Sequence, residues 1–190
     1  MTKLLLSTFA GIATLTATMT VNAESYQLDP AHTYPYFSIS HLGFSTMRGR
    51  FNNTSGNFTL DKAKGTGSVE IEIDVNSIDT AFEKRNEHLR SPDFFNAAEF
   101  PKMTYKSTKV TINKDNTAVV EGNLTMHGVT KPVTLKVDKI TCGANPMNKK
   151  EMCGFNATAT LKRSDFGINT FLPAIGDEVS MDIEAEGYKQ

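Results

Sequence analysis

The sequence predicts an all-β fold, a barrel or a sandwich of about eight antiparallel strands with one short helix-plus-loop excursion at one end. Three observations lead there. Alternation of apolar and polar residues recurs through most of the chain. Gly, Asn and Asp punctuate several of the alternating runs. The helical crossovers that a parallel sheet needs are missing from the pattern.

Composition frames the problem. Of the 190 residues, 39% are hydrophobic and 22% charged, and 20 Lys+Arg against 21 Asp+Glu leave a net charge of -1. An intrinsically disordered chain would hold fewer apolar residues and more net charge. A nucleic-acid binder relying on a broad basic surface would be more cationic. One domain with its own core fits the length.

The N-terminus reads as an export signal. Lys3 is the only charge before Glu24, an apolar and Thr-rich run begins at Leu4, and Val21-Asn22-Ala23 offers small residues at a cleavage site. The expectation is a signal peptide over 1–23 and a mature domain over 24–190, which places the protein in the periplasm. An uncleaved anchor is the alternative, but the run is short for a spanning helix. No Cys follows the run for lipidation, and no later segment has the length and apolarity of a membrane helix. Export changes the reading of Cys142 and Cys153, the only two cysteines. An oxidising compartment favours a structural disulfide over a redox or metal pair, because ten residues separate them and no His lies near. Closing such a loop stabilises by about 3 kcal/mol.

The strands follow in order. Pro35, Phe37, Ile39 and His41 share one parity, alternating with Tyr and Ser. A shorter run covers 51–60. Val69, Ile71, Ile73 and Val75 alternate with Ser and acidic residues, so Glu70 and Glu72 belong on a solvated face rather than in a catalytic pair. Residues 103–112 form another run, followed by Val120, Gly122, Leu124 and Met126. His127-Gly128 reads as a tight hairpin connection to Val133, Leu135 and Val137. Phe155, Ala157, Ala159 and Leu161 make the next inward set, and Val179, Met181, Ile183 and Ala185 the last. One segment, 80–90, breaks the alternation with helix formers, a candidate Thr80 cap with Glu83 three residues on, and Pro92 as its stop.

Motifs of catalysis are missing. There is no GxSxG, SxxK or Cys in a catalytic setting, and His32, His41, His88 and His127 show no metal-ligand spacing. No cofactor or metal is implied. The inward inventory is more informative. Besides aliphatic residues it holds Phe37, Phe44, Phe94, Phe95, Met103, Tyr105, Met126, Phe155 and Met181. These form either a dry core or the wall of an elongated pocket, since Met and aromatic side chains suit a flexible hydrocarbon chain. His41 shares the parity of Phe37 and Ile39, which suits a polar group orienting a ligand's polar end.

Six segments, in order along the chain, resemble the YceI family, the lipid- or polyisoprenoid-binding exported proteins of bacteria. They are Asp29-Pro-Ala-His32, His41-Leu-Gly-Phe44 with Gly49-Arg-Phe51, Arg85-Asn-Glu-His88-Leu89-Arg90-Ser91, Phe94-Phe95-Asn96, Gly122-Asn-Leu-Thr-Met-His127-Gly-Val-Thr-Lys131-Pro132, and Lys162-Arg-Ser-Asp165-Phe-Gly167. The resemblance implies a lipocalin-like, eight-stranded antiparallel β-barrel. It further implies an amphiphile, a quinone, a prenyl diphosphate or a similar long-chain lipid, with its tail along an apolar tunnel. The tail would contact Phe37, Ile39, His41, Phe44, Val69, Ile71, Ile73, Phe94, Phe95, Met103, Tyr105, Leu124, Met126, Leu135, Phe155 and Met181. The family pattern has an aliphatic residue where Pro35 stands, so an edge or distorted strand is expected there. The cysteine pair occurs in part of the family only. A filled barrel with a structural or stress role, and an enzyme using His41 or His88 on such a lipid, are the competing readings. A homodimer is compatible with the sequence but carries no signal in it.

Overall fold

The computed structural model describes residues 23–190, so the export-signal reading, Ala23 aside, falls outside the described residues. The remainder is an antiparallel β-barrel built as a meander, in which consecutive strands are spatial neighbours. Twelve strand segments align into eight staves.

The first stave joins β1 (Glu24–Leu28) and β2 (Tyr34–His41), both paired along the same edge of the last strand. The break between them is a 3-10 turn at Pro30–His32, capped by Asp29, whose Oδ1 accepts from the Ala31 N–H at 3.0 Å. The second stave joins β3 (Ser45–Phe51) and β4 (Thr54–Asp61), and the third β5 (Thr66–Asp74) and β6 (Ile78–Asp79). Then come the helix α1 (Glu83–Arg90) and its following loop, before β7 (Lys102–Ile112) and β8 (Ala118–Met126). β9 (Val129–Val137) and β10 (Thr141–Ala144) both lie along β11 (Glu151–Lys162). Finally β12 (Ile175–Lys189) pairs with β11 over Met152–Tyr188 to Lys162–Glu178 and closes the ring. Closure leaves the barrel without a long free edge.

Local chemistry explains the connections. His127 and Gly128 both hold positive φ (53° and 73°), the backbone of a two-residue hairpin turn between β8 and β9. Leu42 and Gly43 also hold positive φ, within the three-residue connection between β2 and β3. Pro35 pairs with Ile183 of β12, but pairing with β3 begins only at Tyr36–Arg50. The expected local edge is therefore present, and the missing N–H faces no strand partner there. Glu70 and Glu72 stand outside, 3.6 and 2.8 Å from Lys106 and Lys102 on β7.

Two expectations are corrected. The run over 51–60 is not one strand; it breaks at residues 52–53, where β3 gives way to β4. Thr80 does not cap the helix. Phe82 occupies the N-cap position without a side-chain bond, and buried Asn86 turns back instead, its Oδ1 accepting from the Thr80 N–H at 2.9 Å and the Thr80 hydroxyl at 2.6 Å. With the Thr80 hydroxyl committed as a donor, Glu83 accepts from Asn86 and Arg90 rather than closing a capping box.

The two ends of the barrel differ. At the helical end lie the β2–β3 and β8–β9 hairpins, α1 with its loop, and the 163–174 segment. At the other end lie the β4–β5, β7–β8 and β10–β11 connections and both ends of the described chain. Each half has a buried cluster. Tyr26, Phe58, Tyr105, Val120, Val137 and Cys153 anchor the second end; Phe51, Ile73, Val75, Met103, Met126 and Phe166 anchor the helical end. Among the described residues no helix is long and apolar enough to cross a membrane.

Candidate functional site: an apolar cavity under the helix

A cavity of about 440 Å³ opens inside the helical half of the barrel. Its volume falls in the range of small-molecule and cofactor sites. Period-two alternation builds its walls. From β2 come Phe37, Ile39 and His41; from β5, Ile73; from β7, Met103. β8 supplies Leu124 and Met126, β11 Leu161, and β12 Val179 and Met181. The helix and its loop add Leu89, Phe94 and Phe95 from above. Several of these apolar side chains, including Phe37, Ile39, Val179 and Met181, point into the barrel yet are only half-buried, because the space they face is not filled by protein.

The sequence-predicted lining divides into three groups. Phe37, Ile39, His41, Ile73, Phe94, Phe95, Met103, Leu124, Met126 and Met181 converge on the cavity. Val69, Ile71, Tyr105, Leu135 and Phe155 have the inward parity but pack in or against the core of the other half. Phe44 is a correction of a different kind. The Leu42-Gly43 turn ends the β2 parity, and Phe44 stands 91% exposed outside the barrel.

Tyr105 marks the boundary between the two halves. Its ring lies over Gly122 on β8, where a Cβ would come within 2.5 Å of the ring carbon Cζ. Its hydroxyl is 3.0 Å from the carbonyl oxygens of both Val120 and Val133, to which it donates. Burial pushes the phenol up to about 12. Beyond it the interior is filled, with Tyr26 stacked on Phe58 at 4.9 Å and Phe155 edge-on to Phe58 at 5.4 Å.

Sequence reasoning missed much of the polar part of the wall. Arg48, Thr80, Arg85, His88 and Arg163 all border the cavity. Arg85 projects from α1 and donates through Nε to the Thr80 hydroxyl at 2.8 Å and through a terminal nitrogen to the Thr80 carbonyl. Arg163 is only 5% exposed. Its three guanidinium nitrogens donate to the carbonyls of Gly176, Ile168 and Ile175 at 2.8, 3.0 and 3.0 Å, tying the 163–176 segment together. Desolvation pulls its pKa below the ordinary arginine value, with Asp177 opposing. His88 lies edge-on to Phe94 at 5.0 Å, and its Nε2 is 3.2 Å from the Asp93 carboxylate. Leu161 and Val179 carried the alternation signal, whereas Arg163, Ile168 and Phe171 belong to or adjoin a segment with no period to read.

The other histidines have structural surroundings. His127 Nδ1 sits 3.0 Å from the Phe166 carbonyl. His32 is outside the barrel in a trio with Asp29 and Glu186, whose potential ligand atoms lie within 4.8 Å of one another. The 2.8 Å His32–Asp29 bond accounts for the approach of those two, and it lowers the Asp29 pKa and raises that of His32. The cysteines are bonded to each other, Cys142 on β10 directly opposite Cys153 on β11.

Comparison with known proteins places this geometry. A UPF0312 protein of Pseudomonas aeruginosa is 41% identical over 191 residues, covering 99% of this chain and 98% of its own. One from Shewanella denitrificans is 39% identical over the full length of both. Among solved structures, BcnA of Burkholderia cenocepacia superposes with a TM-score of 0.73 at 26% identity, covering 84% of this chain and 98% of that one. A polyisoprenoid binding domain from Saccharophagus degradans shares the fold (TM-score 0.64, 20% identity, 88% of this chain and 99% of that one). The YceI-like domain model matches residues 26–187, nearly the whole described barrel, and the chain therefore belongs to the YceI-like family.

Proposed function

We propose that the protein is an exported, periplasmic carrier that holds the tail of a long-chain amphiphile, such as an isoprenoid, in the cavity of its helical half. One observation carries this reading: apolar side chains of seven strands, β3 contributing Met47 and Phe51, and of the helix loop line a space that no protein atom fills. Removing an apolar chain from water into such a site contributes about 25 cal/mol per Å² buried, before ordering costs. Aliphatic, aromatic and Met walls suit a flexible tail, and Met adapts to its kinks. Family membership and the name of one structural neighbour, a polyisoprenoid binding domain, support lipid binding over catalysis. The sixteen-residue lining expected from the sequence narrows in this proposal to those that face the cavity, with Phe44 and the filled half set aside.

The test is a titration with a fluorescent polyene fatty acid. The wild-type protein should bind it saturably, and Val179→Trp, which fills the cavity from β12, should weaken binding at least about tenfold. Equal binding by both proteins would place the ligand elsewhere.

A further inference from the structure

The charged groups on the cavity wall are all of one sign. Arg48, Arg85 and Arg163 border it, and no carboxylate does among the described residues. Nor do these arginines form close ion pairs, although the Asp177 charge acts on Arg163 from farther off. Arg90, one residue beyond Leu89 on the same helix, is paired with Glu83 at 2.6 Å, but Arg48, Arg85 and Arg163 form no ion pair among the described residues. The bonds that hold Arg85 and Arg163 run to neutral oxygens, of Thr80 in one case and of three backbone carbonyls in the other.

A cation against an apolar wall has lost part of its hydration, and neutral acceptors replace that only in part. Arg163 has most of its donors committed to the backbone, so it supplies field rather than grip. Arg85 is different. Nε and one terminal nitrogen are fixed on Thr80, which is itself fixed by Asn86, and the other terminal nitrogen is left to face a ligand. The guanidinium is thus oriented before anything binds.

We propose that the cavity selects amphiphiles with an anionic head, a carboxylate or a phosphate, bound at the rim by Arg85, with Arg48 also bordering the cavity, over neutral amphiphiles of the same chain. This rests on the lipid-cavity reading and extends it to the head group. Chain-matched alcohols lack the charge that would compensate these arginines.

The experiment is displacement of the neutral fluorophore N-phenyl-1-naphthylamine from the full barrel domain. Competitors are palmitate against hexadecanol, and geranylgeranyl phosphate against geranylgeraniol, all below their aggregation limits. At least one anion should displace at about tenfold lower concentration than its alcohol, as expected of a charge-assisted hydrogen bond. Which pair shows the larger ratio tells carboxylate from phosphate. Arg85→Gln should bring that ratio to within about twofold of one by weakening the anion. Arg48→Gln, on an exposed strand position, should narrow the ratio as well and guards against loss of folding in the helix variant. Equal displacement by acid and alcohol in the wild type, or a ratio unmoved in both folded variants, overturns the head-group inference and leaves the lipid cavity standing. No displacement by any of the four overturns the cavity reading itself.

Discussion

At Tyr105 the barrel interior passes from open to filled, and two neighbours make this possible. Gly122 leaves room for the ring, and the Val120 and Val133 carbonyls receive its hydroxyl. Gly122→Ala would drive a methyl into the ring, 2.5 Å from Cζ, and should lower unfolding stability by about 1–3 kcal/mol in chemical denaturation. The phenol gives a pH signature. Its folded pKa, raised to about 12 by burial first and by Glu121 second, lies above the ordinary 10. The neutral phenol therefore contributes stability that is whole below pH 10 and is lost as the pH rises toward 12. Melting curves from pH 9 to 12 should fall less steeply for Tyr105→Phe than for the wild type, with Tyr26, also raised by burial, accounting for part of the remaining slope. At this scale the sequence showed parity and little else. Tyr105 and Met103 share one face of β7 and alternate alike, yet one closes the floor and the other lines the cavity, because the Tyr105 ring finds room over Gly122.

The helix α1 is too short to be stable alone, and its N-terminal end is held by the Asn86 side chain and not by an N-cap side chain. Asn86→Ala would leave the buried Thr80 N–H and hydroxyl without their acceptor, which should cost about 2–3 kcal/mol. It should also release Arg85 from its orientation, so lipid affinity should fall along with stability. The disulfide predicts the opposite pattern. It bridges β10 and β11 at the end remote from the cavity. Replacing both cysteines by Ala should destabilise by about 3 kcal/mol in the chain-entropy account and leave polyene binding unchanged. The strands were legible because period two is a strong signal and each inward residue repeats it. The helix was legible as a helix, but its start was misplaced: a Thr followed by Glu at the right spacing suggests a cap, while nothing local reveals that Asn86 will take the Thr80 hydroxyl. The segment that carries Arg163 has no period, so its contribution to the wall emerged only with the fold.

Across the whole molecule, a filled half carries an open half. The aromatic cluster around Tyr26, Phe58 and Phe155, with the disulfide, supports a barrel whose other half leaves apolar surface unsatisfied. Such a design links ligand to stability. A tail that binds only the folded barrel should raise unfolding stability by about 2.7 kcal/mol at a hundredfold excess over its dissociation constant. The most direct test is native mass spectrometry of protein purified without detergent, followed by organic extraction and identification of what is released. A population heavier than the bare chain by the mass of one long-chain amphiphile is expected, lost on denaturation and restored by incubation with a lipid extract. A protein that shows only the bare mass before and after that incubation would contradict it.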